Sequence, residues 1–437
     1  MAKTLRPDET ANPRSTELSF SSSLADLADG FEWASRRALA WVQTGRPGAM
    51  PSYWAGLTDR PMFYSRDLAH QALGGHLLGL DEENYAMFRQ FARSATARRR
   101  FYPLWAFTFD GEPAAIDYRS DDDFVRETPA PYELVEKSIE QYRWTRDRRW
   151  IDAPELARFH RDTVFRFTDE HDIHGIGVAG ERAADDIFAG SPTYNEIRTA
   201  PDLQLAGDGI ASQWAATEAY AAIADDPEDR NEALRRTAAL ERQFEESWWN
   251  EKGGHYVAGF TRSGPVDVFA LEPSWFPALK SMLTHSERAR RHLAFLTAGL
   301  ESSPPPNIEA FTYLPEVFFA YHHDGEALRW LRHLIDSRAD YPEVPFTIVS
   351  HLCAGLTGVR PALTGAIDTD SHLPDDAWAE VAGIRIGDAV ITVRHEGRTA
   401  SELTVTSGSG PVTWNARFGA RTEHATVPVG ATVRLGS

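Results

Sequence analysis

Apolar residues recur at three-to-four-residue spacing through most of the first 360 positions, and the pattern predicts twelve helical segments. Their spans are 22–44, 66–80, 82–100, 131–146, 153–171, 209–224, 228–249, 274–284, 286–300, 308–322, 325–338 and 346–357. Connections after the even-numbered helices are short and carry turn or N-cap residues, as in Gly79-Leu80-Asp81, Asp225-Asp226-Pro227 and Asp324-Gly325. Those after the odd-numbered helices are mostly long: 45–65, 101–130, 172–208 and 250–273, then the shorter 301–307 and 339–345. Antiparallel neighbours return the chain to the same side every second helix, so strict long–short alternation gathers every long connection on one face. The architecture this predicts is mainly α, an (α/α)6 barrel over residues 22–361 with a cleft-forming loop face, preceded by a flexible segment 1–21. The competing arrangement, a helical solenoid, would need repeat units with a shared signature, and none is seen.

Beyond Pro361 the period changes to two, as in Ile384-Arg385-Ile386 and Ala389-Val390-Ile391-Thr392-Val393, with glycine turns between the runs. Residues 362–437 are therefore expected to form a small antiparallel, β-sandwich-like appendage that covers the barrel's side.

Composition narrows the function more by exclusion than by signal. A formal net charge of −19 with scattered Lys and Arg speaks against nucleic-acid and anionic-membrane partners, which are bound by clustered cations. The single cysteine, Cys353, lies in an apolar run, permits no intramolecular disulfide and suits a reducing compartment. Met1 to Glu17 is polar and no stretch approaches eighteen apolar residues, so a soluble cytoplasmic protein is expected. There is no His-Glu-x-x-His, no cysteine pair and no calcium or phosphate loop, so neither metal nor cofactor is expected. The oligomeric state is left open.

The segment Phe63-Tyr64-Ser65-Arg66-Asp67-Leu68-Ala69-His70, followed by Leu78-Gly79-Leu80-Asp81-Glu82-Glu83, resembles the start of the second helix in glucoamylase-like proteins of the six-hairpin glycosidase superfamily. The resemblance implies a carbohydrate-cleaving enzyme acting on a mono- or oligosaccharide or glycoside, with Arg66 and Asp67 gripping hydroxyls of the terminal sugar. An Arg offers a fork of donors and an Asp two acceptors, a pair suited to vicinal hydroxyls. His70, one turn on, faces the same rim. Aromatic and polar residues of the long connections, Trp54, Tyr64, Trp105, Asp110, Tyr194, Asn195, Arg198 and Asp208, together with Trp275, complete the expected substrate-binding set.

Glycosidic cleavage needs one carboxyl to protonate the leaving oxygen and another to activate water or attack carbon. The family implies an acid from the connection between the fifth and sixth helices and a base from that between the eleventh and twelfth. Glu196, in Tyr194-Asn195-Glu196, is the expected acid, with Glu181 and Asp208 as rivals; Asp208 also reads as an N-cap. Glu343, between Pro342 and Val344-Pro345, is the expected base, with Glu309 and Glu316 as alternatives. The pair implies exo action with inversion. The sequence departs from the family in lacking a Trp-Glu pair around the acid, and the loop Trp105 to Asp110 matches nothing specific, so the sugar is not specified. A phosphorylase using Arg66, Arg119, Arg182, Arg198 or Arg262, a lyase, unsaturated-uronyl hydrolase or epimerase using histidines such as His160, His171, His174, His255 and His351, and a non-enzymatic carbohydrate-binding barrel remain competing readings.

Overall fold

The computed structural model describes residues 16–182, 187–195 and 200–436. Among them twelve long helices run in antiparallel pairs: α1 (Ala25–Ala40), α2 (Ser65–Leu77), α3 (Asp81–Ser94), α4 (Pro129–Thr145), α5 (154–171), α6 (Gly207–Ile223), α7 (Pro227–Ser247), α8 (Glu272–Leu279), α9 (Ser286–Ser302), α10 (308–319), α11 (Asp324–Ser337) and α12 (343–355). The even-numbered helices form an inner ring, α2 against α4, α4 against α6, α6 against α8, α8 against α10 and α10 against α12; α12 meets α2 and closes it. The molecule is an (α/α)6 barrel with C-terminal sheets.

Inner and outer helices differ as their environments require. The sequence of α6, GDGIASQWAATEAYAAI, is small or apolar nearly all round, and it is buried on almost every side. Its outer neighbour α7 is charged except for a stripe carrying the buried Ala233, Leu240 and Phe244. Asp226 caps α7 by accepting from the Glu228 N–H at 2.8 Å, and Pro227 follows at the first helical position. The inner ring is tight enough to demand glycine at two seams. A Cβ on Gly74 of α2 would stand 2.2 Å from the Phe346 carbonyl oxygen of α12, and one on Gly207 of α6 would stand 1.9 Å from the Pro273 carbonyl oxygen of α8.

Two sheets follow the barrel. One has the order β1 (Ser19–Ser22), β4 (Trp378–Ile386), β5 (Ala389–Glu396), β6 (Ala400–Ser407) and β9 (Thr432–Gly436). The other has the order β2 (Arg360–Pro361), β3 (Ile367–Asp370), β7 (Val412–Phe418) and β8 (Arg421–Val427), all antiparallel except β3 with β7. The first corrects the expected lead-in: residues 19–22 are an edge strand, Ser19 opposite Ala382, and the short run Leu18-Glu17 backs onto Gly383. The sheets lie against the end of the barrel with the short connections rather than along its side. The His76 ring meets the Arg385 carbonyl at 2.9 Å, the Gly387 N–H donates to the Trp144 carbonyl at 2.7 Å, and the His395 ring meets the Thr357 carbonyl at 3.0 Å. No helix among the described residues is long and apolar enough to cross a membrane.

Candidate active site

Every inner helix starts at the long-connection end, and five of the six carry an acid in the first turn: Asp67 in α2, Asp208 in α6, Glu272 in α8, Glu309 in α10 and Glu343 in α12. Converging helix N-termini present partial positive charge, which favours carboxylates there. The same arrangement concentrates acids at the mouth of the barrel, and three of them meet: one carboxylate oxygen each from Asp67, Glu309 and Glu343 lies within 4.8 Å of the other two. That spacing is short enough to grip a cation, but side-chain cations already balance it. Arg66 pairs with Glu309, and His70 with Glu343.

Glu343 is fully buried at the first position of α12. Its Oε1 accepts from His70 Nδ1 at 2.5 Å and lies 2.9 Å from the Thr312 hydroxyl, while Oε2 has no hydrogen-bond partner among the described residues. Burial raises its pKa above the ordinary value, and the His70 cation opposes the rise. His70 lies flat on Tyr313, with ring centroids 4.0 Å apart and planes 2° apart. Burial alone would lower its pKa, but hydrogen bonding and attraction from Glu316 and Glu343 outweigh that and carry it up to about 9. The ring is therefore an imidazolium at neutral pH.

Arg66 and Asp67, the first-turn pair of α2, both reach the carboxylate cluster. Arg66 reaches Glu309, donates to the Tyr194 carbonyl at 3.2 Å and lies over the Tyr194 ring at 5.3 Å. Asp67 accepts from the Tyr341 hydroxyl at 2.5 Å, and burial followed by repulsion from Glu343 pushes its pKa up to about 6. Tyr341, Tyr313 and Thr312 were not singled out from the sequence; Tyr341 precedes α12, Thr312 and Tyr313 lie within α10, and only the ring closure brings them to Asp67 and His70.

Glu272, which the sequence places in the long connection 250–273, was not among the expected acids. It opens α8 behind Leu271, whose φ of 52° turns the chain into the helix, and it is buried. Burial is the chief cause of a pKa pushed up to about 8; Arg66 opposes it, and Asp208 and Glu309 add to it. A sequence signal existed in the Leu-Glu-Pro start of the eighth helix, parallel to the Pro-Glu start of the twelfth.

The other expected site residues are distributed differently. Glu196 and Arg198 lie outside the described residues. Tyr194 and Asn195 are buried beside the site, Asn195 donating to the Ala270 carbonyl at 3.2 Å. Asp208 is not a cap: it is fully buried and accepts from the Thr193 hydroxyl at 2.8 Å and the Tyr194 N–H at 2.7 Å, pinning that turn, while burial pushes its pKa up to about 7. Trp54 packs on Trp41 and Phe109 and donates to the Leu57 carbonyl at 3.0 Å. Tyr64 and Trp105 meet edge to face at 6.3 Å, and Tyr64 accepts from Arg60. Trp275 is completely buried in α8 beside Phe269, and Asp110 is exposed and bonded by the Thr108 hydroxyl. Glu181, the rival acid, accepts from Tyr102 at 2.8 Å and lies 3.2 Å from His171; burial would raise its pKa, but these partners and Arg100 hold it below the ordinary range.

Glu316 lies on the far side of His70, its Oε1 3.7 Å from His70 Nε2 and 3.8 Å from His351 Nδ1. It lines a second cavity of about 300 Å³ at the other end of the barrel axis, among Lys137, Lys280, Arg143 and Arg360.

No known family pattern matches the chain. No curated protein matches it in sequence. Solved structures do match in fold. A rhamnosidase of glycoside hydrolase family 78 from Bacillus sp. GL1 superposes with a TM-score of 0.64 at 14% identity over 93% of this chain and 43% of its own. A putative kojibiose phosphorylase from the human microbiome gives 0.64 at 7% identity, over 96% of this chain and 63% of its own. A wild-type glycosidase gives 0.53 at 14% identity, over 76% of this chain and 99% of its own. The chain thus spans less than two thirds of the length of the first two. The fold is that of the six-hairpin glycosidases, and these neighbours are carbohydrate-active enzymes.

Proposed function

We propose that the protein is an exo-acting, inverting glycoside hydrolase in which Glu343 is the general base and Arg66 with Asp67 holds the terminal sugar. The observation that carries this is the state of Glu343: a buried carboxylate with one oxygen fixed by His70 and Thr312 and the other without a hydrogen-bond partner among the described residues. A carboxylate so held can orient a water toward an anomeric carbon and take its proton, and burial makes it a stronger base than a free one. The His70 imidazolium opposes the rise that burial and Glu309 cause. Asp67, with one oxygen on Tyr341, has its other oxygen for a sugar hydroxyl, and Arg66 supplies the matching donors.

The acid is assigned to Glu196 on the connection between α5 and α6, as the family resemblance implies. Glu272 is the second reading, favoured by a pKa of about 8 that leaves it protonated at neutral pH beside Arg66 and Glu309. The two are separated by leaving group. Glu196→Gln or Glu272→Gln should cripple hydrolysis of a natural glycoside yet retain much of the rate on an aryl glycoside whose phenol leaves without protonation. Only the true acid shows that split.

Proton NMR of the first-formed anomer, recorded before mutarotation, tests the whole scheme. An inverted free sugar is expected, because a base separated from the acid by a water implies carboxyls about 6.5–9.5 Å apart. A retained anomer refutes the pairing, and a sugar phosphate formed only with added phosphate would make the enzyme a phosphorylase.

A further inference from the structure

At the opposite end of the barrel from the carboxylate cluster, the turn between α10 and α11 meets the end of β3. His322 comes from the turn, Asp370 is the last residue of β3, and His372 follows two residues later. A ring nitrogen of each histidine and a carboxylate oxygen of Asp370 all lie within 4.8 Å of one another. His322 Nε2 and Asp370 Oδ2 are 3.5 Å apart, and the two imidazole rings are 5.1 Å apart. We infer that His322, Asp370 and His372 form a binding site for one Zn²⁺ ion, completed by water, that clasps the C-terminal sheets to the barrel.

Three features beyond proximity support a metal over a simple ion pair. The first is the outer partner of His372. Its Nδ1 donates to Asp324 Oδ1 at 2.7 Å, and both residues are buried. A carboxylate accepts, so Nδ1 carries a proton, and Nε2 is the nitrogen that makes no hydrogen bond among the described residues. A carboxylate behind a histidine is the usual way a ligating imidazole is oriented and made more basic. Asp324 is held in turn by Arg398, 3.0 Å away.

The second is spacing. Zn–N bonds of about 2.0–2.1 Å and Zn–O bonds of about 2.0–2.2 Å in a tetrahedron put neighbouring ligand atoms roughly 3.3–3.5 Å apart. The His322–Asp370 separation is already at that value, so only His372 and a small rotation of its partners are needed to close the set. Two imidazoles with one carboxylate suit zinc and its transition-metal neighbours, whereas calcium and magnesium select oxygen.

The third is the backbone at His322, whose φ of 56° is a left-handed conformation that glycine or asparagine adopts at less cost. It turns the half-exposed imidazole back toward Asp370 and His372. One cation competes: Arg417 Nη1 lies 3.7 Å from Asp370 Oδ2, but its side chain is more than half exposed and can leave toward solvent. The site lies outside the candidate active site, so its role is to hold α10, α11 and β3 together.

The test uses the full chain, stripped of metal by chelation and titrated with ZnCl2 by calorimetry, with metal content measured after gel filtration. One zinc per chain is expected, with a rise of several degrees in Tm, because a ligand bound only by the folded state stabilises it. His322→Asn keeps a residue suited to the left-handed turn and removes the imidazole. It and Asp370→Asn should each weaken binding at least 30-fold and abolish the Tm rise. Asp324→Asn should weaken binding about tenfold through the outer shell. Co²⁺ in place of zinc should give the intense visible absorption of four-coordinate cobalt in the parent and not in His322→Asn. Absence of stoichiometric binding, or binding that survives both ligand substitutions, overturns the assignment. So does a Tm rise produced equally by MgCl2. Glycoside cleavage by His322→Asn without added metal should equal that of the parent, which keeps this test independent of the proposed hydrolase.

Discussion

Glu343 and Glu316 face the same imidazole from opposite sides, one at the mouth of the barrel and one on the cavity at its other end. His70 Nδ1 bonds Glu343 at 2.5 Å, and Nε2 lies 3.7 Å from Glu316. Burial opposes ionisation of both, yet Glu343 is lifted above the ordinary carboxyl range and Glu316 is held well below it. The difference is in the company each keeps. Glu316 has His70, Lys137 and His351 around it, whereas Glu343 has one cation and is crowded by Glu309 and Asp67. Burial therefore does not by itself mark a carboxyl for proton chemistry; the balance of neighbouring charge decides whether the proton can be exchanged near neutral pH. At the mouth the balance is acidic, and Glu343 is raised. At the far end it is paired and inert.

The sharpest way to break this contrast is at its two carboxylates. Glu343→Gln is expected to cut kcat at least a thousandfold, about 4 kcal/mol of transition-state stabilisation, with the far-ultraviolet circular dichroism unchanged. Glu316→Gln, on the other nitrogen of His70 at 3.7 Å, should lower kcat far less. Equal losses would show that both carboxylates act only by holding His70.

Arg66→Ala and Asp67→Asn come next, with kcat/KM reduced about 10²–10³-fold through misplacement of the sugar. Steady-state kinetics should show both kcat and KM affected. A pure KM effect would mean that the pair binds ground state and transition state alike.

Glu272 sharpens the comparison on stability. Its folded pKa of about 8 lies above the ordinary 4.5, so the stability it lends is fully present below about pH 4.5 and gone once pH has risen past about 8. Glu272→Gln mimics the protonated form and removes that loss. Parent and variant should melt together near pH 4, with the variant melting higher at pH 8. A parent that melts higher at pH 8 would show that the ionised carboxylate is welcome there.

The smallest effect is expected on the exposed rim. Asp110→Ala should change activity less than twofold and stability by no more than about 0.5 kcal/mol, as for surface substitutions away from special features. A large drop on a long substrate but not on an aryl glycoside would place Asp110 at a distant sugar subsite.

The barrel was legible in the sequence because its periodic segments are long and its connections alternate; α7 and α11 fall within two residues of their expected bounds. The helix starts were less legible. Residue 343, expected in a loop before a helix at 346, is already helical, since Pro345 is tolerated in a first turn where its missing N–H costs nothing. Strand β1 reads Ser-Phe-Ser-Ser and β8 reads Arg-Thr-Glu-His-Ala-Thr-Val. Neither carries enough apolar alternation to announce itself, because edge strands need bury only one or two side chains. Of the residues gathered at the mouth, Arg66, Asp67 and His70 were singled out by one local motif and Glu343 by its Pro-Glu loop. Tyr341, Tyr313 and Glu272 were not, because their relation to that motif exists only across the ring.

The seam between α2 and α12, where Gly74 lies against the Phe346 carbonyl, joins the first hairpin of the barrel to the last. Strand β1 likewise waits for β4, more than 350 residues later. At roughly 5–20 residues per second of synthesis, the first hairpin is made about 15–55 s before its closing partner exists. Throughout that interval the side of α2 that receives α12 lacks its cover, although α4 can already pack on the other side. Closure of the ring thus waits for α12, and a nascent chain stopped before residue 343 should be held by chaperones rather than complete the barrel.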